Sequence, residues 1–322
     1  MGQKIIRRTG LILLHSLGFV LLYFVVRNLD FQVIRENFSL FKPWKIAAGL
    51  GILLMVYLIK TYRWLTINRS FGLKTTYGTL LVFFLFSGLL SAITPGRLGE
   101  FSRIWFIQKQ YKAGITVSTS SVLLDRIWDV LILSMIGGIS MILLISRFTI
   151  EWYTMALMGM IFLFALGLIL FPGLIFKPAL ALAGNRPIRE ELEYIYRVWK
   201  KNRLSLIIPG FSTSLLAFGI LAIIPVIFSA DLDAPVQYGT GVTAVSISNI
   251  LSFLPVTVAG FGTREFIFTR VWAIQAYPAH IAISVSTIYF ICTYLGSMLF
   301  GGIVYGGWIR KFYKLREIRS RK

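Results

Sequence analysis

The sequence predicts an all-α polytopic membrane protein, built as an inverted-topology repeat. Two re-entrant helical hairpins enter from opposite faces, with about six full crossings and both termini cytoplasmic. Three observations carry the prediction. Of 322 residues, 57% are hydrophobic and only 14% charged, against roughly 25% charged in a soluble domain, so the apolar surface needs a solvent other than water. The net charge is +20, from 33 Lys and Arg against 13 Asp and Glu, clustered between long apolar runs as on a cytoplasmic membrane face. Two Gly-rich turns set in apolar surroundings, at 94–101 and 257–266, repeat one another.

The same features exclude other classes. Nucleic-acid binders spread Lys and Arg over a folded polar surface; these residues are clustered instead, so no nucleic-acid partner is expected. Cys292 is the single cysteine, which excludes an intramolecular disulfide and a thiolate metal site. His15 and His280 lie far apart and receive no role. The chain has no G-x-x-x-x-G-K-[ST] loop. Neither a nucleotide nor any other cofactor or metal is expected.

Segment 10–26 follows Lys4, Arg7 and Arg8 without a small-residue cleavage site, and reads as a retained first helix. Further apolar segments cover 44–59, 77–94, 116–145, 152–171, 204–230, 241–259 and 281–309, and a crossing takes about 20 residues. Eight full crossings would put Lys109, Lys112 and the basic residues of 177–203 outside, against the positive-inside rule. If 77–112 instead enters from the cytoplasm, turns at Thr94-Pro95-Gly96 and returns as a short helix over 98–110, every later segment changes side. The cytoplasmic stretches then hold Lys60, Arg63, Arg69 and Lys74, then Lys109 and Lys112, and the basic clusters of 177–203 and 310–322. The chain is outside at Asp231 and inside at its basic end, so 241–277 must dip in from the outside, turning near Gly260 and Gly262. The expected organisation is one membrane domain over 1–322, with repeat halves of about 44–145 and 204–309. An interfacial amphipathic helix at 185–203 and a basic tail at 310–322 face the cytoplasm.

The turns read Thr94-Pro95-Gly96-Arg97-Leu98-Gly99-Glu100-Phe101 and, with a two-residue insertion, Thr257-Val258-Ala259-Gly260-Phe261-Gly262-Thr263-Arg264-Glu265-Phe266. Glycine breaks also serve close helix packing, so a bare Gly turn has a plainer explanation. Non-helical backbone at membrane depth, however, must be buried in protein or line a wet cavity. Gly96, Gly99, Gly260 and Gly262 allow close approach of backbone to a ligand. The half-helix N-termini attract anions, and Arg97 and Arg264 add full charges there, describing a site for a group such as phosphate. Glu100 and Glu265 either stabilise the helix dipoles or take part in gating. Arg103 is placed to pair with Glu100, and Arg126 with Asp129. Asp125 and Asp129 share one helix face about 14 Å along their helix, where unpaired charges cost at least ~2.5–3.5 kcal/mol each. Arg97 and Arg103 are their expected partners, in a network that is either a structural lock or functional. Asp231-Leu232-Asp233 has the D-x-D form of metal-dependent glycosyltransferases, but a short acidic outer loop explains it more simply.

The motifs T-P-G-R-L-G-E-F-x-R at 94–103, L-D-R-I-x-D at 124–129 and G-F-G-x-R-E at 260–265 resemble the membrane region of lysylphosphatidylglycerol synthases. That family includes stand-alone proteins of about this length and the flippase half of the multiple peptide resistance factor. The resemblance implies movement of a lipid between leaflets, with Arg97, Glu100, Arg103, Asp125, Arg126, Asp129, Arg264 and Glu265 on the motif positions. Two departures are Val258-Ala259 where the family usually has Pro-Gly, and Asp125 where it usually has Glu. The sequence has no counterpart of the soluble aminoacyl-transfer domain, so lysyl transfer is not expected. The leading expectation is a flippase-like transporter of an anionic phospholipid or polyprenyl-phosphate-linked lipid in the cytoplasmic membrane of a bacterium or archaeon. Anionic membrane lipids are its expected partners, and a homo-oligomer is left open. The alternatives are an enzyme or accessory subunit in lipid-linked glycan or membrane lipid synthesis, and a structural subunit in which the charges only hold the fold.

Overall fold

The computed structural model describes residues 31–144, 152–184, 186–253, 260 and 262–309, and their regular secondary structure is entirely helical. The expected first helix at 10–26, the crest of the second turn at 254–259 with Phe261, and the basic tail at 310–322 lie outside the described residues.

The chain begins with α1 (Phe31–Leu40) and α2 (Pro43–Ser70). Pro43 opens α2, where its missing N–H costs nothing, and left-handed Gly72 follows its end. Helix α3 (Tyr77–Ile93) leads into a 3-10 turn over Pro95–Phe101 and then α4 (Ser102–Tyr111). Helix α5 (Ile115–Leu144) is the longest at 30 residues. It is followed by α6 (Trp152–Leu170), α7 (Gly173–Leu182) and α8 (Arg186–Lys201). Helices α9 (Arg203–Leu221) and α10 (Ile223–Ser229) run nearly continuously. Helices α11 (Tyr238–Leu251) and α12 (Thr263–Trp272) flank the second turn. The last long element comprises α13 (Ala279–Phe290), a π-helical stretch at Ile291–Leu295, α14 (Gly296–Val304) and a second π stretch at Tyr305–Ile309.

Three of these helical runs are long and apolar enough to cross a membrane: Pro43–Ser70, Arg203–Leu232 and Ala279–Gly307. Large apolar side chains stay uncovered elsewhere, with Phe164 69% and Leu163 65% exposed on α6, a surface suited to lipid rather than water. Helix α8 has two faces: Ile195 and Trp199 are buried, while Arg189 and Glu193 pair on the exposed side at 3.4 Å.

Helix α5 is the hub, packing against α2, α4, α6, α8, α9 and α11. A small residue allows its closest approach to α9: a Cβ on Gly210 would collide with the indole of Trp128, which is fully buried among the largest side chains of the core. A second apolar cluster joins α2, α3 and α4 through Trp64, Leu80, Phe83, Phe84, Phe106 and Ile107. These two cores hold α5, α2 and α4 in register, and polar side chains fill the space where they meet.

Candidate functional site

Asp125 and Asp129 lie one turn apart on α5 and are fully buried. Helix α2 meets them with Lys60 and Arg63. Arg63 Nη2 is 2.6 Å from Asp125 Oδ1, and its Nη1 is 2.9 Å from Asp129 Oδ1. Lys60 Nζ lies 3.1 Å from Asp129 Oδ2. Arg63 also donates to Ser214 of α9, whose hydroxyl donates to the Gly210 carbonyl at 2.6 Å. Helix α4 supplies Arg103, with Nη1 2.8 Å from Asp125 Oδ2 and Nη2 3.6 Å from Glu100 Oε2. The Arg103 guanidinium lies 4.8 Å over Trp64 and 4.4 Å over Phe84. Arg126 closes the network, pairing with Glu100, with Asp125 at 3.2 Å and with Asp129 at 3.1 Å. Each carboxylate thus answers several cations, as burial requires, because an unpaired charge in a low-dielectric interior costs several kcal/mol.

The sequence expectation set Lys60 and Arg63 in a cytoplasmic stretch just beyond the apolar segment 44–59 and did not name them as partners of the aspartates. Helix α2 continues through Ser70, so both fall within it, and Arg63 is 0% exposed. A signal was available: Lys60, Arg63, Trp64 and Asn68 have helical i, i+3, i+4 and i+8 spacing on one face. That face docks on α5, where Trp64 donates to Ser121 at 2.8 Å and Ser121 donates to Asn68 at 3.0 Å.

Of the partners expected for the aspartates, Arg103 is in place and Arg97 is not. Gly96 and Arg97 are consecutive left-handed residues, at φ 58° and 55°. For a non-glycine residue this conformation costs on the order of 1–2 kcal/mol, and it turns the guanidinium away from the aspartates. Arg97 Nη2 donates to Asn249 Oδ1 at 2.8 Å and to Tyr294 OH at 3.2 Å. Its guanidinium lies 5.4 Å over Tyr294 and 5.6 Å over Phe253. Among the described residues it has no carboxylate partner within ion-pair distance. Gly99 serves packing rather than ligand approach: a Cβ there would strike the Leu90–Ser91 backbone, and its N–H donates to Thr94 Oγ1 at 2.7 Å.

The second turn is built differently. Gly260 and Gly262 are left-handed, at φ 76° and 83°, and the Gly262 N–H donates to Glu265 Oε2 at 2.8 Å. Arg264 pairs with Glu265 and donates to Ser286 at 3.0 Å. Its guanidinium lies 4.7 Å over Phe290 and 5.9 Å over Tyr294, so the arginines of both turns meet the same tyrosine.

A cavity of about 80 Å³ opens where α2, α3, the first turn, α9, α11 and the Ile291–Leu295 stretch converge. Its chemistry is set by Lys60, Arg97, Glu100, Arg126, Asn249 and Tyr294, with serine and threonine hydroxyls around them. The space admits several waters or a phosphate-sized group, since one water takes about 10–15 Å³ of such volume. Arg264 does not line it. Tyr294 sits in the π-helical stretch, a local distortion that often marks functional sites. Among the described residues no group of three or more His, Cys, Asp or Glu is placed to hold a metal ion. Asp231 is engaged elsewhere, 2.7 Å from Lys45 Nζ, where it ties the start of α2 to the end of α10.

A UPF0104 membrane protein of Methanocaldococcus jannaschii is 22% identical over 225 residues, covering 67% of this chain and 92% of that protein. No solved structure matches. Residues 9–301 match the family described as the lysylphosphatidylglycerol synthase TM region, and this membrane protein belongs to that family.

Proposed function

We propose that the protein is a flippase-like lipid transporter, moving the headgroup of an anionic phospholipid or polyprenyl-phosphate-linked lipid between leaflets while the tails stay in the bilayer. One observation carries the reading: Arg97 is held in a left-handed turn, has neutral partners, and lines a polar cavity among apolar helices. Ionisable groups in such a place point to a substrate path, and irregular backbone at membrane depth belongs beside a cavity. The buried ion network supports the role of a gate, because Lys60 shares Asp129 with Arg63 and Arg126, and Arg126 divides its contacts among Glu100, Asp125 and Asp129.

In this reading the chain is one membrane domain with repeat halves of about 44–145 and 204–309, and the turns after α3 and α11 enter from opposite faces. The meeting of Arg97 and Arg264 at Tyr294 supports that pseudo-symmetry. Helix α8 lies at the cytoplasmic interface, both termini are cytoplasmic, and the host is the cell membrane with anionic lipids as partners. Reconstitution tests the function: proteoliposomes carrying fluorescent phospholipids or a polyprenyl phosphate should exchange them between leaflets faster than protein-free liposomes. Wild type and Arg97→Ala both matching the protein-free rate for every headgroup would end this reading.

A further inference from the structure

We infer that the cavity takes a phosphate group bearing two or more negative charges, a pyrophosphate or a phosphomonoester, bound between Lys60 and Arg97, in preference to a single phosphodiester. The inference rests on the transport reading above and narrows its substrate class. It comes from the balance of charge. Five cations, Lys60, Arg63, Arg97, Arg103 and Arg126, surround three carboxylates, Glu100, Asp125 and Asp129. By the motifs alone the site is close to neutral, because they include Arg264 and Glu265 and leave out Lys60 and Arg63. The structure reverses both assignments: Lys60 and Arg63 are in the network, and Arg264 and Glu265 pair with each other outside the cavity. Among the described residues, two positive charges remain in excess.

The excess can be located. Arg63 and Arg103 are fully buried and face two carboxylates each, and Arg126 faces three. Arg97 has neutral hydrogen-bond partners and aromatic faces. Lys60 has Asp129, which Arg63 and Arg126 also claim, and the Phe218 ring at 4.2 Å. These two are the under-neutralised cations, and both line the cavity. Leaving such charges under-neutralised in a low-dielectric interior is costly, and cation–π contacts offset only part of that cost. A group bearing two negative charges restores neutrality. Arg97 offers planar N–H donors and Lys60 a three-donor ammonium, both suited to phosphate oxygens. A lysylated phosphodiester, which is cationic overall, would add to the excess.

The test is thermal unfolding of the purified full chain, with inorganic pyrophosphate, inorganic phosphate or chloride added at matched ionic strength. A second arm uses nanodiscs containing a polyprenyl pyrophosphate or phosphatidylglycerol. A saturable rise in midpoint with pyrophosphate, free or lipid-linked, or with inorganic phosphate, and none with chloride or phosphatidylglycerol, is expected. Lys60→Met and Arg97→Gln should each weaken that response by about tenfold or more, as for loss of a charge-assisted hydrogen bond, while Arg189→Met, on the exposed side of α8, leaves it unchanged. A response only in the nanodisc arm identifies the lipid-linked form as the ligand. A response to free pyrophosphate without lipid movement in proteoliposomes keeps the site and ends the transport reading. No saturable response to pyrophosphate or phosphate overturns the inference. So does an equal response in wild type and Arg97→Gln, the variant that leaves the ion network intact.

Discussion

Arg63 joins Asp125 and Asp129, its two terminal nitrogens lying 2.6 and 2.9 Å from one carboxylate oxygen of each. This contact ties α2 to α5 across the centre of the protein. Removing one partner of a buried pair typically costs about 3–5 kcal/mol because the other charge is left uncompensated. Arg63→Met and Asp125→Leu should therefore each lower the unfolding midpoint in detergent strongly. The double variant should lose less than the sum of the two, as residues sharing one network do not add. Additive losses would mean that the pair does not interact.

Arg97 offers the opposite behaviour. Its hydrogen bonds go to Asn249 and Tyr294 rather than to an acid, so Arg97→Gln can keep a donor and remove the charge. The expected change in stability is within about 1 kcal/mol, the scale of one neutral hydrogen bond. Lipid movement in proteoliposomes should nevertheless fall by about tenfold or more, the equivalent of ~1.4 kcal/mol. If the midpoint collapses along with transport, the arginine is holding the fold instead.

Two glycines provide a packing test of the first turn. Gly99→Ala places a methyl against the Leu90–Ser91 backbone, and such overpacking typically costs about 1–3 kcal/mol. Nothing lies within 4 Å of the corresponding position at Gly51 in α2. Gly51→Ala should accordingly stabilise by roughly 0.5–1 kcal/mol through helix propensity. Denaturant unfolding of the two variants compares them directly, and a neutral Gly99→Ala would show that the turn can move off α3.

Topology is open to labelling. In a Cys292→Ala background, single cysteines at the exposed positions Lys109 and Gln237 should react with a membrane-impermeant maleimide from opposite sides, Lys109→Cys from the cytoplasm. Reaction of both from the same side would remove the two-hairpin arrangement.

The sequence alone determined the solvent, the helical class and most helix positions, because apolar runs and charge clusters are local properties. The segment at 77–94 became α3, 116–145 became α5, and 185–203 became the two-faced α8. It also marked Arg97, Glu100, Arg103, Asp125, Arg126 and Asp129, since charged residues in apolar surroundings stand out. Which of them pair is a different kind of information. Arg63 and Asp125 are separated by 62 positions, and only the docking of α2 on α5 brings them together. Charge counting by segment consequently left Lys60 and Arg63 out of the network that they join, while Arg97 and Arg264, so alike in their motifs, received different partners. The decisive step was the left-handed backbone at Gly96 and Arg97. It directs one arginine out of the ion network and into the cavity, a choice that shows only once the turn is packed on α3 with Gly99 against the Leu90–Ser91 backbone.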